Sequence, residues 1–344
     1  MGLFSEPIKE ESLYDQFIKK FGPEVKAREG NNIRQICPEC KHNSLSANIH
    51  NGCFFCFNCG YGKGLKLYGV QGGQPETPVD NDLHKKVTNF IFDNGSLLGI
   101  HKKYLVERSI YGPERYKFVT SSFALIHELK RKFSNEDLVA SGYFSLWGKD
   151  LKASRALDPR RILIPYWSGE EILTLKSRAN PFADQSEEVV RYLAPRGSSL
   201  KDKLWYKGSL RSNSIITEGE LAAIAAHSLG YSVCAVPGLG FAKSPAIQTA
   251  LKSLIKDVKR LYIILDTDPG IQDEALRLQN SIKLFEVAPD ISSILYLPQD
   301  KEDECMDLDL YLSRYGSDEL DYLLDTAWAR RGKTYDELRK RAYQ

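Results

Sequence analysis

Three short acidic clusters could do chemistry together: Glu218-Gly219-Glu220, Asp266-Thr267-Asp268 and Asp307-Leu308-Asp309. Each follows an apolar stretch, SIIT, LYIIL and SSILYLP respectively. A lone D-x-D is a weak signal, because an acidic residue at a strand end often only caps the next helix. Three clusters in phase with a strand–helix alternation are harder to explain as caps. Carboxylate oxygens are the ligands Mg²⁺ prefers, and that ion keeps waters and substrate phosphates in its shell. Two such ions stabilise both the attacking and the leaving oxygen of a phosphoryl transfer. Gly219 permits close backbone approach beside the first glutamate.

A second constellation is made of sulfur. Five of the seven cysteines lie between positions 37 and 59. Cys37-Pro-Glu-Cys40 and Cys56-Phe-Asn-Cys59 are two C-x₂-C pairs separated by 15 residues, a spacing that reads as a zinc site. Two such knuckles close a tetrahedron of thiolates at about 2.3 Å and leave no open position, so the expected zinc is structural, one per chain. Cys53 in place of Cys56, or His42 as a ligand, are the alternatives within the motif. Cys234 reads as a buried strand residue and Cys305 as a loop residue. Phe54, Phe55, Phe57, Tyr61, Lys63 and Lys66 interleave aromatics with lysines around the knuckles. Rings and ammonium groups in that mixture suit the bases and phosphates of a single strand. Phe57, Tyr61 and Lys63 are the candidates, although at least one of the three phenylalanines should form the small core of the ribbon.

The elements that would position these groups can be read from periodicity. SLYDQFIKKFG places Leu13, Phe17 and Phe21 at helical spacing, with Gly22 and Pro23 as a stop. VQGGQPETPVDND reads as a linker. LHKKVTNFIFDN, KKYLVERSI and SSFALIHELKRKF look helical, and RILIPYW, EILTLKSR and VVRYLAP look like strands. From Ser214 onward the chain alternates: SIITE, helix ELAAIAAHSLG, strand YSVCAVPG, helix SPAIQTALKSLIKDV, strand RLYIILDTD, helix IQDEALRLQNSIKLF, strand SSILYLP. That alternation implies a parallel sheet with helices on its faces, whose sites gather at the carboxyl ends of the strands. The tail from Ser313 to Gln344 reads as one or two exposed charged helices.

Composition narrows the class. The 344 residues are 42% hydrophobic and 27% charged, the profile of an ordinary folded chain of two or three domains rather than a disordered or fibrous one. Net charge is only +2, but it is unevenly spread. Residues 100–215 hold 21 Lys/Arg against 13 Asp/Glu, whereas residues 261–344 hold 10 against 18. A basic middle suggests a polyanionic partner, and an acidic end suggests gathered carboxylates. No apolar run approaches a membrane span. The N-terminus lacks an apolar signal core, and Glu6 breaks a myristoylation pattern. The expectation is a cytoplasmic protein with no membrane partner.

ITEGE, followed by a D-x-D after an apolar strand, resembles the TOPRIM domain shared by topoisomerases, bacterial-type primases and some nucleases. CPEC…GCFFCFNCGYGKG resembles the zinc domain of bacterial and phage primases, and YLVERSI, SNEDLVASGYF, RRILIPYW, LTLKSR and RYLAPRGSSLKDKLWYKG resemble the basic half of their catalytic core. The resemblance to DnaG-like primases runs to about Leu312. It implies that Glu218 helps bind metal or moves a proton, that Asp266 and Asp268 bind Mg²⁺ or Mn²⁺, and that Asp307 and Asp309 form the late acidic motif. It implies that Arg161, Arg178 and Arg196, with Lys201 and Lys203, meet template or nucleotide phosphates. Pro269 after the D-x-D departs from the family pattern. GLGFAKS is no phosphate loop, because Ala242 stands where that motif needs glycine.

The expected fold is multi-domain α/β. A zinc ribbon occupies 1–70 and a linker with the first helix 71–98. A mixed α+β basic subdomain spans 99–213, a Rossmann-like TOPRIM sheet 214–312 and a short helical tail 313–344. The expected function is a DNA primase of phage, plasmid or mobile-element type, with single-stranded DNA, ribonucleoside triphosphates and a replicative helicase as partners. A TOPRIM nuclease or topoisomerase-like enzyme, and a non-catalytic zinc-bearing single-strand-binding replication factor, are the competing readings.

Overall fold

The computed structural model describes residues 12–23, 26–29, 32–39, 41–43, 45–49, 53–56, 78–147, 149–182, 190–198, 200–266, 271–298 and 306–342. The chain divides into two compact units, Met1–Glu76 and Thr77–Gln344.

In the first unit, helix α1 (Leu13–Phe21) is capped by the Ser12 hydroxyl, which accepts from Asp15 N–H, and ends at Gly22 with φ +86°. Strands β1 (Lys26–Glu29), β2 (Asn32–Gln35), β3 (Leu45–Asn48) and β4 (Phe54–Cys56) form an antiparallel sheet in sequence order. Alternation puts Ile33, Leu45, Ala47, Phe54 and Cys56 into one small core with Phe17. Phe54 packs edge-on to Phe17, with ring centroids 6.2 Å apart, so it is the core phenylalanine of the ribbon. Gln35 is buried, and its Nε2 donates to Phe17 O at 3.2 Å and to Gly22 O, tying the end of α1 to β2.

The second unit opens with α2 (Asn81–Asn94), α3 (Gly99–Glu107), the short β5 (Val119–Thr120), α4 (Phe123–Lys132) and α5 (Asn135–Ala140). A hairpin follows, β6 (Phe144–Trp147) with β7 (Asp150–Ala153). Strands β8 (Ile162–Gly169), β9 (Glu171–Arg178) and β10 (Tyr192–Leu193) run antiparallel to their sequence neighbours. Then come β11 (Trp205–Lys207), β12 (Asn213–Glu218), α6 (Glu220–Ser228), β13 (Val233–Val236), α7 (Pro245–Leu254), β14 (Arg260–Ile264), α8 (Ile271–Phe285), β15 (Ser292–Ile294) and α9 (Leu308–Ala342).

Nine strands make one sheet, ordered β10-β9-β8-β11-β13-β12-β14-β15 with β5 on β8. Strands β13, β12, β14 and β15 are parallel, as the alternation predicts. Their residues are buried on both faces, the mark of a parallel sheet covered by helices. Strand β11 lies parallel to β8 and antiparallel to β13. The expected boundary near residue 213 therefore falls inside a continuous sheet, with the basic hairpin on one side and the parallel strands on the other. Helix α6 is buried from Glu220 to Ala226, and its run of alanines suits close packing on all sides.

The tail departs from expectation. It is neither short nor an exposed appendage: α9 begins at Leu308, kinks at Gly316 (φ +80°), and buries Tyr311, Leu312, Leu320, Leu324 and Ala327 against α6, α8 and β15. Ser293 Oγ donates to Ala327 O at 2.8 Å. The physical reason is an i, i+4, i+7 apolar stripe carried within an otherwise charged sequence.

Candidate functional site

Glu218 is the last residue of β12, Asp266 lies two residues beyond β14, and Asp307 caps α9, its Oδ1 accepting from Leu310 N–H at 3.0 Å. Parallel register carries these strand ends to one edge: Glu218 pairs with Val236 and Thr217 with Ile264. Gly219 turns the chain from β12 into α6 with φ +76°, and its N–H donates to Val236 O at 3.0 Å. A Cβ there would meet no atom within 4 Å, so glycine is needed for its dihedral and not for space. Glu218, Glu220, Asp266, Asp307 and Asp309 all line one open cavity of about 540 Å³. Asp268 lies outside the described residues.

Cations are interleaved with the carboxylates of that cavity. Arg108, Lys176, Arg191 and Tyr192 line it. Lys176 Nζ donates to both oxygens of the buried Glu220, at 3.0 and 2.9 Å. Arg108, at the end of α3, donates through Nη2 to Asp307 Oδ2 at 2.7 Å and through Nε to Asp309 Oδ2. Burial pushes the Asp309 carboxyl up to about 7, further than the neighbouring guanidinium pulls it down. Burial also works to raise Asp307, but the Arg108 charge and the hydrogen bonds from Asp309 and Leu310 outweigh it and hold that carboxyl below its ordinary value. Burial opposes the charge of Arg108, yet the two aspartates make it a stronger base than an ordinary arginine. Two carboxyl groups thus share one cation, with Asp307 the one held ionised beside it.

The sequence-predicted basic residues are not all brought to this site. Arg161 is buried, with Nε donating to Ser177 Oγ at 2.9 Å and Nη2 to the carbonyls of Ser177, Val190 and Arg191 at 3.1–3.2 Å. Its Nε and Nη2 are tied to a serine hydroxyl and three carbonyls, so it rivets β9 to the segment carrying Tyr192. Arg196 likewise donates to Val139 O at 2.8 Å. Lys201 lies in a short 3₁₀ turn, Leu200–Asp202. Lys203 lines a separate cavity of about 310 Å³ with Tyr206 and Leu254. Arg178 is near the acidic edge: it bonds Tyr192 Oη and lies over the rings of Tyr104 and Tyr192, 5.3 and 5.2 Å from their centroids. Arg108, Lys176, Arg191 and Tyr192 join the site without being individual candidates from the sequence. One signal was available: Lys176 and Arg178 alternate on one face of a strand.

In the first unit, Cys37 follows β2 and Cys56 ends β4. Leu45 pairs with Gln35 on one side and Cys56 on the other, which sets both cysteines at the same end of the sheet, and both are buried. Lys41 N–H donates to Cys37 O at 2.9 Å and Cys37 N–H to His42 O at 2.8 Å, with Lys41 at φ +60°, so Cys37 is closed onto Lys41 and His42 by a tight turn. Cys53 lies three residues back along β4, which at about 3.3 Å per residue is ~10 Å away, and odd spacing turns it to the other face. Cys40, Cys59, Phe57, Tyr61 and Lys63 lie outside the described residues. Among the described residues no three Asp, Glu, His or Cys side chains are spaced to hold one ion.

The fold is similar to that of DnaG-type primases. The zinc-binding and RNA polymerase domains of the Aquifex aeolicus primase are similar at TM-score 0.56 and 18% identity, over 93% of this chain and 84% of that one. The Escherichia coli primase catalytic core is similar at TM-score 0.53 and 12% identity, covering 72% and 80%. A DnaG primase catalytic domain bound to single-stranded DNA is similar at 0.52 and 11%, covering 72% and 81%. No protein-family profile matches the sequence, and no curated protein sequence matches it. Among the described residues no helix is long and apolar enough to cross a membrane.

Proposed function

We propose that the chain is a DNA primase that joins ribonucleotides on a single-stranded DNA template. The observation that carries this reading is the meeting of Glu218 at the end of β12, Asp266 just past β14 and Asp307 at the start of α9 with Arg108, Lys176 and Arg191 in one cavity. The donor set is all oxygen, which suits Mg²⁺ or Mn²⁺ and not a soft metal. Glu218 and Asp266, with Asp268, would hold the ions, and Asp307 would support the same edge. When bound, such ions neutralise phosphate charge and polarise the α-phosphate toward attack.

The chain's own groups have distinct tasks. Glu218 accepts the proton leaving the 3′-hydroxyl of the growing primer. Arg191 is exposed at the cavity wall and is placed to pair with the triphosphate. Lys176 is held by Glu220 and fixes the field on that wall before substrate arrives. In the first unit, a structural Zn²⁺ on Cys37, Cys40, Cys56 and Cys59 would lock the ribbon that reads the template.

Incubation with a single-stranded template, labelled ribonucleotides and Mg²⁺ or Mn²⁺ tests the reading. Template-dependent extension is the expected result, and Asp266→Asn should lower it by roughly two to three orders of magnitude, as losing a charge that meets a transferring phosphate does. Degradation of the template without extension would favour a nuclease. Single-strand binding without either activity would favour a replication factor.

A further inference from the structure

The acidic cavity connects through stacked side chains to an exposed ring. Arg108 lies 6.0 Å from the centroid of Tyr104 and Arg178 lies 5.3 Å from it. Tyr104 in turn meets Phe182 at 6.1 Å, with the ring planes at 83°. Phe182 is 48% exposed, so much of its ring faces solvent. An isolated exposed phenylalanine needs no explanation, but this one is held in place. Asn180 Oδ1 accepts from Phe182 N–H at 3.2 Å and lies 3.2 Å from Nε2 of the buried His101. Pro181 fixes the backbone between them. A large apolar ring is therefore presented to water from a pinned turn, edge-on to Tyr104, at the end of a chain of contacts that runs through Arg108 to Asp307.

We infer that Phe182, backed by Tyr104, is a stacking platform for an unpaired base of the strand entering the cavity. A base has a π-face that stacks on any aromatic ring, whatever its sequence. The pinned turn lowers the ordering cost of that contact. The inference rests on the primase reading and deepens it, because it names where a template base sits outside the reacting centre.

The test uses the full chain with a fluorescein-labelled oligothymidylate, and with one carrying 2-aminopurine. Phe182→Ala and Phe182→Leu should each weaken binding roughly five- to a hundred-fold, the usual effect of deleting one stacking ring, while Phe182→Trp restores it. Quenching of 2-aminopurine should be lost in the alanine and leucine variants. Unchanged affinity and quenching in Phe182→Ala, in a wild-type protein that does bind the strand, would overturn the platform and leave the primase reading standing. A wild-type protein with no affinity for the strand would overturn both. Weaker binding of free ribonucleoside triphosphate, with strand affinity intact, would move the ring to a nucleotide subsite and overturn the assignment to the strand.

Discussion

Arg108 carries one positive charge and faces two aspartates, Asp307 and the buried Asp309. The arrangement keeps the acidic edge folded when no cation other than the guanidinium is present. Removing one partner from such a pair leaves uncompensated charge in a low-dielectric wall. Arg108→Gln is expected to lower the unfolding free energy of the metal-free protein by about 3 kcal/mol. Adding Asp309→Asn to that variant should return little of the loss at neutral pH, because the buried Asp309 carboxyl, already raised to about 7 beside the guanidinium, takes up a proton once that cation is gone. Urea titrations of the two variants check this, and a loss under ~1 kcal/mol in Arg108→Gln would show that the pair is solvated rather than structural. Arg161 makes the opposite point at the same scale. It is an arginine in a basic segment, yet four acceptors within 3.2 Å occupy its Nε and Nη2. Residue type proposes a phosphate contact; hydrogen-bond satisfaction decides whether the group has a donor left to offer.

At the scale of elements, α9 and β4 each carry a prediction. Leu320 is fully buried where α9 crosses the core, so Leu320→Ala should cost about 2–5 kcal/mol by the cavity it leaves. Tyr322, 66% exposed on the same helix, should change stability by less than about 0.5 kcal/mol on truncation. Equal losses in chemical denaturation would contradict the packing of this helix. On β4, Cys56→Ser should empty the proposed zinc site while Cys53→Ser leaves it filled, as read by elemental analysis of purified protein. The reverse result would place Cys53 among the ligands despite its opposite face. The parallel half of the sheet was legible because its strands are short apolar runs bounded by glycine and acidic residues, and period 2 and period 3.6 alternate cleanly from Ser214 on. Glu218, Asp266 and Asp307 were legible for the same reason, since strand ends in a parallel sheet meet by topology. The burial of α9 was harder to see, because Leu320, Leu324 and Ala327 sit among charges that lower mean hydropathy without disturbing the stripe. The pairing of Arg108 with the acidic edge was not legible, although YLVERSI contains the residue. It reaches Asp307 across 199 residues of sequence, and no local pattern reports a contact of that separation.

Across the second unit, the continuous sheet makes the basic hairpin and the acidic edge parts of one rigid frame, and buried histidines join its helices to that frame. His84 on α2 lies 2.7 Å from Ser141 O through Nδ1 and 2.7 Å from Thr174 Oγ1 on β9 through Nε2. A carbonyl only accepts, so Nδ1 carries the hydrogen and Nε2 accepts from the threonine. His101 on α3 is buried beside Thr120 and Asn180. Burial holds both imidazoles below the ordinary histidine value, more strongly than their hydrogen bonds raise them. Between that lowered value and about 6.5 the unfolded chain binds protons that the folded chain refuses, so stability falls as pH falls, by up to about 1.4 kcal/mol per pH unit for each histidine. Asp309 runs the other way. Its raised carboxyl binds a proton in the folded state first, so its contribution is present below about 4 and is lost as pH rises toward 7. One histidine is thus offset over part of the acid range, and the remaining slope still favours neutral pH. His84→Gln can keep a donor toward Ser141 O while removing the titration. The variant should lose less stability than the wild type between pH 6.5 and pH 5, by about 1.4 kcal/mol per pH unit until the lowered value is passed. Urea unfolding at pH 7.5, 6.5, 5.8 and 5 measures the difference. Parallel stability curves for the two proteins would mean that His84 takes up its proton as readily in the folded frame as in the unfolded chain.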